Sequence, residues 1–468
     1  MPIILTRKPS KARGDKRQSR VSSCGVSNCA AGWSSVILRH VQVLYCGTFR
    51  HTRALRRFRY SSSLSFSRSV DGRKGIERTP PPPYGALRAV YMEASLIEDR
   101  LLWNRFIART ATGHLCQTYE WPDNSGEAAS AGSLRIGVLE NGELVAAMVL
   151  MRSRAAGVPF PFFYAPRGPV LADPHSPAFP QLIACAKREV RSRGGFLIRV
   201  EPNVLQDDVT WAESLHKLGF RPTSHTIYLR GAWVTDIRPA EEDILAHMMT
   251  TWRQNIRAGK RKGITVRLGS GSSDLDVFYR LLQETGARDR FYVYPKELFR
   301  DMLEHYSAEA ASTYGTAQMA LLIAEQDDGA PIAVSTVAVL GKWSWNLHSG
   351  SSGLPAHRKL RPNYLLQWEC MRWAKSHGAD YYDWRTIPDI LKPGEELYGV
   401  YEFKRGFGGF ERRVLPTQDL VLRPLVYWPY SLVVSLRRKG QRWRRQRFEE
   451  RRLQTGSSVV ETHNNTAE

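Results

Sequence analysis

The sequence predicts an α/β protein: two similar domains in tandem, each built on a mixed sheet, behind a disordered basic tail. Two observations carry that expectation. A unit of β-hairpin, helix and strand occurs twice. From hairpin turn to helix-ending glycine it spans 53 residues in the first copy (Gly142 to Gly195) and 49 in the second (Gly329 to Gly378). Charge also changes abruptly near residue 91. Residues 1–90 hold 18 Lys/Arg against 3 Asp/Glu, a net of +15, whereas 91–436 hold 40 against 38. With 437–468 at +5, the formal charge of +22 belongs mostly to the two ends. A body this close to neutral excludes a general nucleic-acid coat protein, and 42% apolar residues exclude a wholly disordered chain. A length of 468 residues suits two or three domains.

Residues 1–91 are rich in Arg and Ser, and Pro80 to Pro83 form a spacer that no helix crosses. Three readings stand open: a nucleic-acid-binding arm, a targeting peptide, or sequence upstream of the true start. Met92, directly before the first regular segment, favours the last. Leu96, Leu101, Leu102, Phe106 and Ile107 recur at helical spacing, predicting a helix over 93–110. The stretch 134–153 reads as a hairpin turning at Asn141-Gly142, a strong type I′ signal. A helix over 179–194 and a strand over 196–200 follow. The basic run 251–263 holds five cations in thirteen residues and reads as a helix closed by Gly263. The second copy comprises a hairpin turning at Asp328-Gly329, a helix over 363–378 and a strand over 380–384. This order fits the GNAT acyltransferase fold, whose mixed sheet splays around an acyl donor. The expected boundaries are a tail over 1–91, a first domain over 92–225, a second over 226–409, a return segment over 410–436 packing on the first domain, and a basic tail over 437–468.

Three segments hold candidate chemistry. In 401–409, apolar and charged residues alternate up to Lys404, and Gly406, Gly408 and Gly409 follow. This predicts a strand breaking into a close turn, with a lysine suited to stabilising an oxyanion; the plainer alternative leaves Lys404 at a sheet edge. Segment 164–170 presents Tyr164 and Arg167 after a strand, and 346–352 occupies the corresponding place in the second half. The basic run is either an anion site, since Arg forks phosphate oxygens, or a solvated face. The six cysteines form no CxxC pair and support neither a disulfide framework nor a zinc site. The longest late apolar run, 424–436, is too short to span a membrane and carries Pro429. The start lacks a secretory signal's apolar stretch.

The segments WNRFIA…GHLCQTYEW, YAPRGPV, RQNIRAGKRKGITV, ETGARDRF, HSGSS, ADYYDW and YEFKRGFGGFERRV occur in this order over 103–414. Together they resemble the Fem family (FemA, FemB, FemX) of peptidoglycan-bridge aminoacyltransferases, and the plan, lacking a coiled-coil insertion, is nearest FemX. The resemblance implies two GNAT-like domains and transfer of an aminoacyl group from aminoacyl-tRNA to an amine of UDP-MurNAc-pentapeptide or lipid II. It puts the catalytic lysine on Lys404 with Phe403 beside it. It puts the precursor-lining tyrosine on Tyr164, and the phosphate-binding cation on Arg257, Lys260 or Arg261. His348 stands where the family often has tyrosine. Asp383, a candidate proton acceptor or an ion-pair partner, matches the family's Y-D-x-G-G motif, but Arg385 and Thr386 replace its glycines.

The reaction needs neither cofactor nor metal, because an aminoacyl ester is already activated. The donor's phosphates would meet Arg253, Arg257, Lys260, Arg261, Lys262, Arg405, Arg412 and Arg413. Two alternatives remain. One is an acyl-CoA-dependent N-acyltransferase, for which the pyrophosphate loop is incomplete because Arg288 ends Gln283-Glu284-Thr285-Gly286-Ala287. The other is a non-catalytic envelope or nucleic-acid-binding protein. The expected location is cytoplasmic, with peripheral contact at an anionic membrane surface through the aromatic and basic residues after 424.

Overall fold

A computed structural model describes residues 92–437 apart from 126–131, 156 and 396, together with Gly440. The tail expected over 1–91, and residues 438–468 apart from Gly440, lie outside the described residues. In chain order the strands are β1 (Met92–Leu96), β2 (Leu134–Glu140), β3 (Glu143–Arg154), β4 (Pro161–Arg167), β5 (Val170–Leu171), β6 (Leu197–Pro202) and β7 (Arg221–Pro222). Then come β8 (Gly231–Asp236), β9 (Thr265–Leu268), β10 (Gln318–Glu325), β11 (Pro331–Leu340), β12 (Trp343–Ser351), β13 (Tyr381–Thr386), β14 (Phe410–Arg413) and β15 (Gln418–Val421). One sheet has the order β1-β2-β3-β4-β6-β15-β7, with β5 beside β3; the other has the order β14-β8-β13-β12-β11-β10-β9. Each is mixed, with one parallel pair, β4 with β6 and β12 with β13. The chain is a tandem of two α/β units, each built on one mixed sheet.

The hairpins form where the turn residues require them: Asn141 and Gly142 both adopt positive φ, at 52° and 88°. Behind the first sheet, the helix Ala178–Ser192 buries Phe179, Leu182, Ile183, Ala186 and Val190, a stripe at helical spacing. The helix Pro362–Ser376 does the same for the second sheet with Leu365, Leu366, Cys370, Met371 and Ala374. A third apolar cluster joins the sheets, combining Trp103, Leu115, Val149 and Val170 with Tyr306, Met319, Leu340 and Trp345. Polar bonds cross the same join. Thr118 and Tyr306 hydroxyls meet at 2.7 Å, and the Thr316 hydroxyl donates to the buried Glu120 carboxylate at 2.6 Å.

Two expectations need correction. The helix expected over 93–110 is shorter, Arg100–Arg109, and Met92–Leu96 is instead a strand paired antiparallel with β2. Asp99 sets the boundary, its carboxylate capping the Leu102 N–H at 2.9 Å. The return segment expected from 410 begins later, because β14 still belongs to the second sheet, on β8. From Val414, which bridges to Leu205, the chain lies against the first unit through Leu415, β15 and a helix over 424–437; that helix buries Tyr427 and Tyr430 against Phe162, Phe196 and Leu197.

Candidate active site

The two parallel pairs differ. In the first sheet β4 and β6 stay together for five rungs, from Phe163/Ile198 to Arg167/Pro202. In the second, β12 and β13 share only three rungs, ending at Trp345/Asp383. Beyond them β12 follows β11 and β13 follows β8, so the strands part and their facing backbone groups are released from the ladder. Asp383 stands at the apex of this opening. The register of β13 on β8 shifts just after it, between Asp383 and Thr386.

Lys404 enters the opening from a helix, Tyr398–Arg405, and not from the strand expected there. The alternating pattern is equally compatible with a helical turn that buries Tyr401 against Trp233, ring centroids 5.5 Å apart. The glycines then let the chain pass closely: a Cβ on Gly406 would meet the Trp252 ring at 2.0 Å, and one on Gly409 the Val234 carbonyl oxygen at 2.1 Å. Lys404 Nζ donates to the Thr386 carbonyl oxygen at 2.6 Å. Burial pulls its ammonium down to about 7, with Asp383 opposing the shift and Arg385 adding to it. Asp383 is buried and accepts the Arg385 N–H at 2.5 Å. Burial raises its carboxyl above the ordinary value, against the pull of that N–H and of Arg412, Arg167 and Arg385. An ammonium that titrates near neutrality can stabilise a developing negative charge, and a desolvated carboxylate is a better proton acceptor than one in water.

The other predicted residues divide. Arg167 belongs to this neighbourhood and donates Nη2 to the Leu229 carbonyl oxygen at 3.0 Å. His348 lies on β12 past the last parallel rung; burial, with a smaller push from Arg385, holds its imidazole neutral, down to about 3. Phe403 packs beside Tyr364 and Phe407, and its carbonyl oxygen accepts the Trp252 indole N–H at 2.9 Å. Tyr164 is committed elsewhere. It is buried, and its hydroxyl donates to Glu201 at 2.5 Å, a carboxylate that also accepts from Ile227, Tyr228 and Thr417. Arg257, Lys260 and Arg261 are exposed on the helix Thr250–Arg261, and no hydrogen bond or ion pair joins them to Lys404 or Asp383.

Sequence reasoning missed His114 and the inward role of Arg385 and Arg412. The His114 ring lies 4.9 Å from that of Trp345, and burial together with Arg167, Arg412 and Arg385 lowers its pKa. Arg412, expected to face donor phosphate, turns inward onto Asn203, with Nη1 at 2.8 Å from Oδ1 and Nη2 at 3.2 Å from the carbonyl oxygen. The signal for Arg385 was its occupation of a glycine position. Among the described residues no group of three or more His, Cys, Asp or Glu is placed to hold a metal.

Comparisons with known proteins bear on this geometry. The FemAB family model matches residues 100–320. The lipid II:glycine glycyltransferase of Staphylococcus haemolyticus is 23% identical over 386 residues, covering 69% of this chain and 91% of the relative. The crystal structure of FemX superposes with a TM-score of 0.66 at 19% identity, covering 72% of this chain and all of that one. Over residues 100–320 the chain is thus similar to the FemAB family. A second relative, the lipid II:glycine glycyltransferase of Staphylococcus saprophyticus, is 24% identical over 397 residues, covering 72% of this chain and 94% of its own length. An acetyltransferase (GNAT) domain model matches residues 246–405, the part that holds the parted strands and ends at Arg405. The chain is an acyltransferase.

Proposed function

We propose that this chain transfers an aminoacyl group from aminoacyl-tRNA to an amine of a peptidoglycan precursor peptide, carried by UDP-MurNAc-pentapeptide or lipid II, and so builds an interpeptide bridge. The observation that carries this reading is the Lys404 ammonium beside Asp383 where β12 and β13 part. The acceptor amine attacks the ester carbonyl: a C–N bond forms and the carbonyl electron pair moves onto oxygen. Lys404 stabilises that oxyanion. The oxyanion then collapses, the C–O bond to the ribose breaks, and the proton shed by the attacking nitrogen passes through Asp383 to the leaving hydroxyl. Phe403 steadies the helix that carries Lys404, through its carbonyl bond to Trp252. Support for an RNA-borne donor comes from the helix Thr250–Arg261, where Arg257 and Arg261 have no ion-pair partner among the described residues and Lys260 pairs loosely with Glu369 at 3.5 Å.

The setting we infer is a membrane surface. No helix among the described residues is long and apolar enough to cross a membrane. The helix over 424–437 nevertheless exposes Leu425 (92%), Trp428 (67%), Leu432 and Leu436, spaced as one face opposite Tyr427 and Tyr430. The sequence continues with Arg437, Arg438, Lys439, Arg442, Arg444, Arg445 and Arg447. Apolar side chains followed by cations fit an interface with anionic lipid, where lipid-linked precursor resides. The test of the reaction is to incubate the protein with a mixed aminoacyl-tRNA pool and each precursor, then weigh the product. A mass increase of whole amino-acid residues that vanishes when RNase is added before charging supports the reading. Acylation fed by acetyl-CoA alone would replace it with the acyl-CoA alternative.

A further inference from the structure

Two arginines beside Asp383 hang from left-handed backbone: Arg167 has φ +57° and Arg385 has φ +62°. A residue with a Cβ is strained in that conformation, which glycine adopts freely. Such strain persists where the side chain has a use. At Arg385 the backbone leaves β13 just before its last rung on β8, and the Arg385 N–H is fastened to Asp383. Its Nη1 then reaches the Leu347 carbonyl oxygen at 3.3 Å, across the gap between β13 and β12.

The third guanidinium comes from the far side of β8. Arg412 on β14 and Thr386 on β13 both oppose Ala232, so their strands lie roughly 10 Å apart. Arg412 is drawn to Asn203, which directly follows the rung joining Pro202 to Arg167. All three arginines are only half-exposed, and among the described residues none has a carboxylate within ion-pair distance. With Lys404 they put four cationic groups around one carboxylate, Asp383. Trp345, at the last parallel rung, adds a buried indole N–H without an acceptor. Half-buried cations and an orphaned donor lack an anionic acceptor.

We propose that Arg167, Arg385 and Arg412 form a cradle for an anionic carboxylate or phosphate group of a substrate beside Lys404, fixing that substrate so that acceptor amine and ester carbonyl meet at the Lys404 ammonium. This rests on the transfer reaction proposed above. Two sources carry such a group, a carboxylate of the acceptor peptide and a phosphate of the donor's terminal nucleotide.

Binding without turnover separates the sources, and keeps a failure of the cradle distinct from a failure of the reaction. Calorimetry compares wild type with Arg385→Gly on two pairs of probes. One pair is the acceptor stem pentapeptide and the same peptide with every carboxylate amidated. The other is a non-hydrolysable amide analogue of 3′-aminoacyl-adenosine with and without its 5′-phosphate. Glycine is at ease at this backbone angle, so the variant should melt no lower than wild type. Loss of a charge-assisted bond should weaken the anionic member of one pair about ten- to a hundredfold and leave its neutral partner unchanged. An effect confined to the peptide pair assigns the carboxylate, and one confined to the nucleotide pair assigns the phosphate. Arg412→Gln, read the same way, guards against a local effect at position 385. Unchanged affinity for both anionic probes in both variants overturns the proposal, whatever the transfer assay yields.

Discussion

Replacing Lys404 by methionine removes the ammonium that donates to the Thr386 carbonyl oxygen while keeping a side chain of similar length among Phe403 and its neighbours. Loss of one oxyanion donor costs about 3–4 kcal/mol, or about 10²–10³ in rate. The shifted titration makes that ratio depend on pH. With a pKa of about 7, Lys404 is charged in most molecules at pH 6, in about half at pH 7 and in about a tenth at pH 8. Deprotonation of the acceptor amine affects both proteins equally and cancels in their ratio. The ratio of wild-type to Lys404→Met rates should therefore be greatest below pH 7 and fall about tenfold per unit above it. Single-turnover transfer with pre-charged tRNA, from pH 6 to 9, measures this. Stability should move the other way. Between about 7 and 10.5 the unfolded chain holds a proton that folded Lys404 has lost, so wild type should gain stability with rising pH in that window relative to the variant. A ratio that stays constant, or a variant within a few-fold of wild type, refutes the electrophilic role. A ratio that grows with pH would make Lys404 the base.

Three further outcomes follow from the packing. Tyr164→Phe should cost about 1–3 kcal/mol in denaturant unfolding, because Glu201 loses one of its donors inside the protein; a thousandfold loss of transfer at unchanged stability would instead give Tyr164 a direct contact with substrate. A chain beginning at Met92 should match the full chain in transfer, whereas one beginning at Glu98 lacks β1, leaves β2 an open edge and should melt lower, by about 2–4 °C for each kcal/mol lost. Equal melting of the two shortened chains would show that β1 adds nothing. Trp428→Asp with Leu432→Asp should abolish sedimentation with anionic vesicles and leave the folded core intact, since both side chains point to solvent; sedimentation unaffected by the pair, or by lipid charge, removes the membrane reading.

The repeated architecture was legible because hairpin turns and helical stripes are local signals. Asn141-Gly142 and the buried series Phe179, Leu182, Ala186 and Val190 act over a few residues. Where local signals were ambiguous, tertiary partners decided. Met92–Leu96 is short enough to read as the start of a helix, and becomes a strand because β2 offers it an edge. Tyr401 to Lys404 alternate like a strand, yet coil because Tyr401 has Trp233 to pack on and the glycines allow contact with Trp252 and Val234. Lys404 and Asp383 could be picked from the sequence by their motifs. His114, Arg385 and Arg412 could not be grouped in advance, because they arrive from a loop near residue 114, a register shift in β13 and an edge strand.

The placement of β15 also sets a timetable for synthesis. It lies between β6 and β7, and Asp419 closes on Arg199 with two hydrogen bonds of 2.7 and 2.8 Å at a buried site. The ribosome completes β7 at Pro222 but does not supply β15 until Gln418, roughly 200 residues and about 10–40 s later. Throughout that interval the nascent chain carries β6 with a bare edge and Arg199 without its counterion, a state open to proteolysis and to pairing with a neighbouring chain. A message truncated anywhere before codon 418 therefore yields no intact first half. The two repeats, alike as they are, cannot be expressed or exchanged as independent cassettes.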